Sequence, residues 1–201
     1  ALKILINGFI ESMASPNCRF YSTELANAIT HFGHHFIKLT AKRLEEQGYE
    51  VIYGDTDSIF VHLKVKSLKE AKDVGKKVEE ETNSFYKKHI KKEYGVTCYL
   101  DLEFEKIYTQ FFLPKVRSGE TGAKKRYAGL LDKKGEQQME FVGMESVRSD
   151  WTDLSKIFQH KLFDKIFAHE EVTDFIKKFV KQLKAGKFDE QLVYKKSIRK
   201  D

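Results

Sequence analysis

Asp55 and Asp57 are separated by a single residue, within the run Tyr-Gly-Asp-Thr-Asp-Ser at positions 53–58. Carboxylates this close repel each other, and a hard divalent cation with a preference for oxygen ligands would offset that repulsion. The pair therefore indicates a candidate metal site. An exposed turn is the alternative, because Asp also favours turns where nothing is bound. An EF-hand is excluded, since its required glycine and glutamate would fall at Phe60 and Lys66.

A β-hairpin is the element expected to hold the two aspartates. Residues 49–53 and 58–63 are rich in β-branched and aromatic side chains, which is typical of strands. Gly54, between the two runs, would allow a tight turn and leave room for a ligand beside the backbone. The hairpin would then present both carboxylates at its tip.

The remaining patterns predict an α+β fold, with an antiparallel sheet and long packing helices followed by a mainly helical part. Apolar residues recur with helical spacing over 23–47, and Gly48 would end that helix. Ser67 and Glu70 form a capping box at the start of another helix, which would end at Gly95. Further helices are expected over 1–13, 153–168 and 172–185, and strands over 97–113, 125–131, 138–143 and 191–199.

An acidic row lies on the predicted strand 97–113. Apolar residues alternate there with Asp101, Glu103 and Glu105, so the three carboxylates would share one face of the strand. Alternation of this kind is typical of a half-buried strand in an antiparallel sheet. A solvated outer face explains the row as well as a functional role does.

Positive charge is concentrated in the C-terminal part of the chain. The whole sequence has 36 Lys and Arg against 30 Asp and Glu, a net charge of +6. Residues 1–113 hold 16 of each sign, so the whole excess lies in residues 114–201, with 20 positive and 14 negative residues. Such asymmetry suggests a polyanionic partner for that part. Lys-rich helix faces that only keep the protein in solution are the alternative.

Length and composition exclude several classes of protein. Of the 201 residues 41% are hydrophobic, enough for a folded core, and no apolar run approaches the ~20 residues of a membrane-spanning helix. Cys18 and Cys98 stand far apart, so neither a disulfide scaffold nor a cysteine zinc site is expected, and a reducing cytosol fits. The chain begins Ala-Leu-Lys-Ile-Leu, without an initiator methionine, from which we expect a piece of a longer protein.

Several motifs, in a fixed order, resemble those of the family B DNA polymerases. The run at 53–58 is similar to the third polymerase motif of that family, and Lys-Ile-Leu-Ile-Asn-Gly-Phe at 3–9 is similar to the second. The others are Ser-Pro-Asn-Cys-Arg-Phe-Tyr at 15–21, Lys-Lys-Arg-Tyr at 124–127 and Gly-Met-Glu-Ser-Val-Arg-Ser-Asp-Trp at 143–151. The resemblance covers nearly the whole chain. Ordered motifs are far more specific than an Asp-x-Asp pair alone.

The resemblance implies a DNA-directed DNA polymerase, in which a primer 3′-hydroxyl attacks the α-phosphate of a deoxynucleoside triphosphate. Two Mg²⁺ ions about 4 Å apart would stabilise the attacking and leaving oxygens. By resemblance, Asp57 is the main metal ligand, Asp55 is a second ligand or a support, and Glu103 is an accessory carboxylate. Lys3 would contact the triphosphate and protonate the leaving pyrophosphate, and Asn7 would help to position it.

Two departures qualify this implied activity. The family's other principal aspartate belongs to its first motif, which would lie upstream of residue 1, so we expect the isolated chain not to polymerise. Gly8, Ile10 and Glu11 stand where the family has Ser, Tyr and Gly, from which we hypothesise a divergent polymerase of weakened activity. The rival hypothesis is a non-catalytic duplex-binding module that keeps the fold. A third is a folded domain with a chance Asp-rich turn.

The Lys-Lys-Arg-Tyr element supplies the expected contacts to DNA. By resemblance, Lys124, Lys125, Arg126 and Tyr127 would support the primer–template duplex, and Arg148 is a further candidate contact. If these residues form a strand, Lys125 and Tyr127 would share one face, and Lys124 and Arg126 the other. Only two of them would then reach the DNA.

The resemblance also implies how the chain is divided and what surrounds it. Residues 1–150 would be part of the palm of the polymerase, and residues 151–201 the start of its thumb. The expected partners are primer–template DNA, deoxynucleoside triphosphates and, for the intact protein, a sliding clamp. No membrane is expected, and the implied location is the bacterial cytoplasm, in association with the nucleoid.

Overall fold

The computed structural model describes residues 2–115, 123–133 and 136–194. The chain divides into two compact units, Ala1–Leu102 and Glu103–Asp201. Each combines helices with a small antiparallel sheet, which confirms the predicted α+β class. None of the helices in the described ranges is long and apolar enough to cross a membrane. The division into palm and thumb at residue 150 stays a prediction.

Three helices and one hairpin build the first unit. Helix α1 spans Leu2–Ala14, α2 spans Thr23–Glu46 and α3 spans Leu68–Tyr94, which confirms the three helices predicted for this part of the chain. Strands β1, Glu50–Asp55, and β2, Ser58–His62, form a two-stranded antiparallel sheet that α2 contacts. The predicted hairpin is thereby confirmed.

Local caps explain where α2 and α3 begin and end. Ser67 Oγ accepts the Glu70 N–H at 3.2 Å, as the capping box predicted. The Glu70 carboxylate reaches back to the Lys66 N–H, one residue earlier than such a box requires. Gly48 and Gly95 follow α2 and α3 with φ values of +86° and +69°, a conformation that glycine adopts without steric cost. Both predicted helix ends are confirmed.

A buried polar contact joins α2 to α3. Thr40 is fully buried, and its hydroxyl lies 2.8 Å from the Phe36 carbonyl oxygen and bonds the Tyr86 hydroxyl. The rings of Phe36 and Tyr86 meet edge-on with 5.6 Å between centroids, and the Arg43 guanidinium lies over the Phe85 ring. Buried hydroxyls need partners of this kind. The contact holds α2 and α3 together within the first unit.

A three-stranded antiparallel sheet in the order β3-β4-β5 is the centre of the second unit. One face of the sheet packs against α4, so that this helix shares a core with β4 and β5; the buried side chains are Ala128, Leu130, Phe141, Met144, Phe163 and Phe167. The strands are β3, Tyr108–Phe112, β4, Tyr127–Lys133, and β5, Glu136–Val142. The helices are α4, Asp153–Phe167, and α5, Thr173–Lys184, with 3₁₀ turns at Glu145–Val147 and Asp189–Leu192.

Two predicted strands are wrong in part. The strand expected over 97–113 is confined to Tyr108–Phe112, although exposure still alternates from residue 101 to 105. The Asn83 side chain bonds both the N–H and the C=O of Leu102, at 2.8 and 2.9 Å, and so satisfies groups that a neighbouring strand would otherwise pair. Of the strand expected over 191–199, residues 191–194 are not strand, and the others lie outside the described residues.

Candidate functional site

The two aspartates lie at the tip of the β1–β2 hairpin. Asp55 ends β1 and pairs with Ser58, so Thr56 and Asp57 alone form the connecting loop. Thr56 has a φ of +45°, and the Asp57 N–H donates to the Asp55 carbonyl across it. The prediction that Gly54 makes the turn is wrong, because Gly54 is paired within β1 and its φ is not in the left-handed region.

Hydroxyl groups donate to both carboxylates. Thr56 Oγ1 donates to Asp55 Oδ1, and Ser58 Oγ donates to Asp57 Oδ1, both at 3.2 Å. Asp55 is half-buried, whereas Asp57 is exposed. The donor to Asp57 is neutral, and no described residue forms an ion pair with Asp57. Oxygen ligands at an open hairpin tip fit a hard cation such as Mg²⁺. In the described ranges, no group of three or more His, Cys, Asp or Glu side chains is placed to hold a metal ion.

Thr56 carries backbone strain that a glycine would not. A β-branched residue at positive φ is an outlier, and the left-handed region costs L-residues ~1–2 kcal/mol. We expect Thr56→Gly to change the free energy of unfolding by less than ~1 kcal/mol, because relief of strain offsets the added freedom of the unfolded chain. Thr56→Ala keeps the strain and loses the contact with Asp55, so it should be the less stable variant. Urea unfolding followed by circular dichroism compares the two, and the opposite order would contradict the argument.

The other residues predicted for the catalytic site are placed less fully. Lys3 and Asn7 belong to α1, but their side chains lie outside the described part of the structure. Glu103 is exposed and belongs to the second unit, whereas the two aspartates belong to the first. The roles of Lys3, Asn7 and Glu103 beside Asp55 and Asp57 therefore stay predictions.

Lys124 and Lys125 lie in a turn rather than in a strand. Strand β4 begins only at Tyr127, and Lys125 has a φ of +56°. The predicted alternation of faces over 124–127 is therefore wrong, because it requires extended backbone throughout. Both lysine side chains are exposed. Gly143, with a φ of +59°, lies against this turn, since a Cβ there would overlap the Lys125 carbonyl oxygen.

Arg126 is paired with an acid that is itself held by an amide. Arg126 Nη2 donates to Glu145 Oε1, and Gln159 Nε2 donates to Glu145 Oε2 at 2.8 Å. Gln159 Oε1 in turn accepts the Ser146 N–H at 2.7 Å. Burial disfavours the charge of Glu145, but hydrogen bonds from Gln159, the backbone and Arg126 outweigh it and lower the pKa of Glu145. Stability from this group is therefore present above its ordinary pKa and is lost as the pH falls through the lowered value.

Tyr127 belongs to an aromatic and charged cluster on the sheet face opposite the core. Its ring centroid lies 5.3 Å from that of Phe111 and 6.2 Å from that of Tyr108. Lys106 Nζ donates to both oxygens of Glu140, at 3.0 and 3.1 Å, and the Tyr108 hydroxyl donates to the same carboxylate. Burial and the Glu140 carboxylate raise the pKa of Tyr108 well above its ordinary value. Tyr108 therefore stays protonated and holds Glu140 in place.

Arg148 has a carboxylate partner two residues away. Its Nε donates to Asp150 Oδ1 at 2.8 Å, and the arginine side chain is half exposed. Neither this partner nor Glu145 and Gln159 was predicted from the sequence as a site residue. Asp150 and Glu145 do stand in the motif at 143–151, and their charge was the available signal. Nothing in the helical pattern of α4 distinguishes Gln159 from any other polar residue.

Helix α5 presents a basic face. Its Phe179 is buried, and Phe158 of α4 lies 4.8 Å from it between ring centroids, so the aromatic side chains of the two helices pack together. The other sides of α5 carry exposed lysines. They are Lys177, Lys178, Lys181 and Lys184.

Comparison with known proteins identifies the family. The family model described as DNA polymerase family B matches residues 1–198. The chain is 40% identical over 201 residues to DNA polymerase II of Escherichia coli (strain K12), which covers 100% of this chain and 26% of that protein. It is 33% identical over 192 residues to DNA polymerase 2 of Aeropyrum pernix, covering 94% of this chain and 20% of that protein.

A eukaryotic relative matches over the same stretch. The chain is 28% identical over 188 residues to the DNA polymerase alpha catalytic subunit of Xenopus laevis, covering 91% of this chain and 12% of that protein. The chain thus spans about a quarter or less of the length of the curated relatives named here. The resemblance drawn from the ordered motifs is confirmed. The chain belongs to family B of the DNA polymerases.

Proposed function

We propose that the chain is part of a DNA-directed DNA polymerase, in which it adds deoxynucleotides to a primer 3′-hydroxyl by two-metal phosphoryl transfer. The observation that carries the proposal is the position of Asp55 and Asp57 at the tip of a hairpin, where the described residues offer Asp57 only the neutral Ser58 hydroxyl as a side-chain partner. Membership of the polymerase family supports the same function. Oxygen ligands at an exposed tip are suited to Mg²⁺ and to the phosphates that accompany it.

The residues of the chain have distinct roles in this proposal. Asp57 would be the main ligand of the two Mg²⁺ ions. Asp55, at the end of the adjacent strand, would be a second metal ligand or would support the metal site. The bound ions would stabilise the attacking and leaving oxygens. Lys3 would contact the triphosphate and donate a proton to the leaving pyrophosphate, while Asn7 would help to position the triphosphate. Glu103 would supply an accessory carboxylate.

The second unit would hold the primer–template duplex. Residues 114–201 carry the entire positive excess of the chain, and α5 exposes a row of lysines. Contacts from such residues to phosphates give affinity that is independent of sequence and falls with salt. Tyr127 and Arg148 would add contacts beside Lys124 and Lys125. The proposed subdomains are the palm over 1–150 and the start of the thumb over 151–201.

The intact polymerase is the catalytic unit in this proposal. The first-motif aspartate of the family would come from outside these 201 residues, so the isolated chain would bind duplex DNA without extending it. The setting would be DNA replication and repair in a bacterial cytoplasm, at the nucleoid, with a sliding clamp as a further partner. The departures at Gly8, Ile10 and Glu11 leave weakened activity as a hypothesis.

Primer extension by the intact polymerase that contains this chain tests the proposal. We expect extension with Mg²⁺ and none after the metal is removed with EDTA, because the two aspartates act through the metal. The isolated chain is the control, and we expect it to bind the duplex in a salt-dependent manner without extension. An intact protein that binds the duplex and fails to extend it with Mg²⁺ would reject the polymerase in favour of a duplex-binding module.

A further inference from the structure

Asn83 of helix α3 makes two hydrogen bonds to the backbone of a single residue, Leu102. Its Oδ1 accepts the Leu102 N–H at 2.8 Å, and its Nδ2 donates to the Leu102 carbonyl oxygen at 2.9 Å. Residues 97–107 belong to the described part of the chain and form neither helix nor strand. The exchange of both bonds with one residue is what a neighbouring strand provides in an antiparallel ladder. The Asn83 side chain thus holds backbone that is not supported by a sheet.

The helix that carries Asn83 is itself fixed within the first unit. Tyr86, three residues further along α3, is 3% exposed and hydrogen-bonds Thr40 of α2. Helix α2 in turn contacts both strands of the hairpin that carries Asp55 and Asp57. The pair of helices that supports the hairpin therefore also supports Asn83 and, through it, the Leu102 backbone.

Glu103 begins at the peptide group that Asn83 holds. The C=O of Leu102 and the N–H of Glu103 belong to one planar peptide group, so the bond from Asn83 Nδ2 orients both. Leu102 is half-buried and Glu103 is exposed, in keeping with the alternation of exposure along residues 101–105. A functional side chain works best when hydrogen bonds around it fix its starting geometry. The contact with Asn83 supplies such a bond for Glu103.

The backbone after Glu103 is held at a second point. Lys106 Nζ donates to both carboxylate oxygens of Glu140 in β5, at 3.1 and 3.0 Å. Glu105 is exposed, and one of its oxygens lies 3.6 Å from Lys106 Nζ. Leu102 and Lys106 are thus fixed points on either side of Glu103. Of these two, the Leu102 contact is the one that belongs to the same unit as the aspartates.

We propose that Asn83 is a positioning residue, which holds the Leu102 backbone so that Glu103 is oriented as the accessory carboxylate of nucleotide transfer. The inference rests on the proposed function, in which Glu103 assists Asp55 and Asp57. The oxygen and the nitrogen of the Asn83 amide are both engaged by Leu102, so Asn83 acts through the backbone and not on the substrate.

Hydrogen exchange in the intact polymerase tests the contact without reference to catalysis. Asn83→Leu keeps the approximate size of the side chain and removes both bonds, so the amides of residues 101–105 should exchange roughly tenfold faster. Asn83→Asp keeps an acceptor for the Leu102 N–H but sets a second oxygen against the Leu102 carbonyl, and should act in the same direction. Thermal unfolding shows that each variant is folded. Unchanged exchange in both variants would overturn the proposal.

Primer extension separates positioning from a merely structural role. Glu103→Gln should lower kcat about tenfold in the unaltered polymerase and less than about twofold in the Asn83→Leu protein, because both changes remove the same oriented carboxylate. Glu105→Gln is the matched control, and its effect on kcat should be the same in both backgrounds. If the effects of Asn83→Leu and Glu103→Gln multiply instead, Asn83 does not act through Glu103 and the proposal is overturned.

Gln110→Met controls for the loss of a comparable hydrogen bond elsewhere. Gln110 Nε2 donates to the Phe167 carbonyl oxygen at 2.9 Å, and in this background Glu103→Gln should keep its full effect on kcat. Failure of the proposed function has a different signature. No extension by the intact protein would reject that function and this inference with it, and faster exchange would then assign Asn83 to the fold alone. Normal extension with multiplying effects would reject only the positioning role.

Discussion

Replacing Asp57 by asparagine should lower the kcat of primer extension about 1000-fold, which corresponds to a loss of ~4 kcal/mol in transition-state stabilisation. Asparagine keeps the size of the side chain but lacks the negative charge with which a carboxylate binds Mg²⁺. Asp57 is exposed, and its hydrogen bond from Ser58 is 3.2 Å long, so the free energy of unfolding should hardly change. Steady-state kinetics and thermal unfolding of the intact polymerase measure the two quantities on the same preparation.

Two further variants make this result specific to the metal site. Asp55→Asn should lower kcat less, because the half-buried Asp55 is only a second ligand or a support in the proposed mechanism. Asp73→Asn is the matched control, an exposed aspartate on α3, and should leave kcat unchanged. Normal kcat in the Asp57→Asn protein would contradict the two-metal mechanism and favour the duplex-binding module.

The helices and the hairpin could be predicted because their signals are local in the chain. Ser67 caps α3 through Glu70, three residues away, and Gly95 ends that helix. The strand expected over 97–113 could not be judged in the same way, because only Tyr108–Phe112 forms a strand. Its alternation of apolar and acidic residues is real, but Asn83, 19 residues before Leu102, occupies the N–H and C=O of Leu102, through which a neighbouring strand could pair at that residue. A tertiary contact of this kind cannot be recognised from the local sequence pattern.

The sequence located the candidate site better than it described the geometry of that site. The run at 53–58 identified both aspartates, but composition favoured Gly54 as the turn residue, whereas Thr56 has the positive φ. Thr56 is an unexpected choice, because steric rules disfavour β-branched residues there. Only the register of the two strands, in which Asp55 pairs with Ser58, shows that Gly54 lies within strand β1 and not in the loop.

The basic motif shows the same limit. In the sequence, Lys-Lys-Arg-Tyr forms one cationic element, and the resemblance implies that all four residues contact DNA. In the structure Arg126 is paired with Glu145, 19 residues further along the chain, while the side chain of Lys124 is exposed. Formal charge could be counted from the sequence. The charges that are already compensated could not be identified from the sequence, because compensation depends on pairings between residues far apart in the chain.

Replacing Gly143 by alanine should lower the free energy of unfolding of the chain by about 3 kcal/mol or more. Gly143 has a φ of +59°, which costs an L-residue ~1–2 kcal/mol. The new Cβ would also overlap the Lys125 carbonyl oxygen, which is backbone and cannot rotate away, and such overpacking adds roughly 1–3 kcal/mol. Urea unfolding followed by the fluorescence of Trp151, the single tryptophan of the chain, measures the loss in the second unit.

Two other alanine variants separate backbone strain from the clash. Gly48 has a φ of +86° with no heavy atom within 4 Å of a Cβ, and Gly186 has a φ of +75° with only the flexible Asp189 carboxylate near, at 3.1 Å. Each should lose about 1 kcal/mol, the cost of the backbone conformation alone. Trp151 fluorescence follows Gly186→Ala, and circular dichroism follows Gly48→Ala, because Gly48 belongs to the first unit. If Gly143→Ala loses no more than these, the turn of Lys124 and Lys125 is not pressed against Gly143.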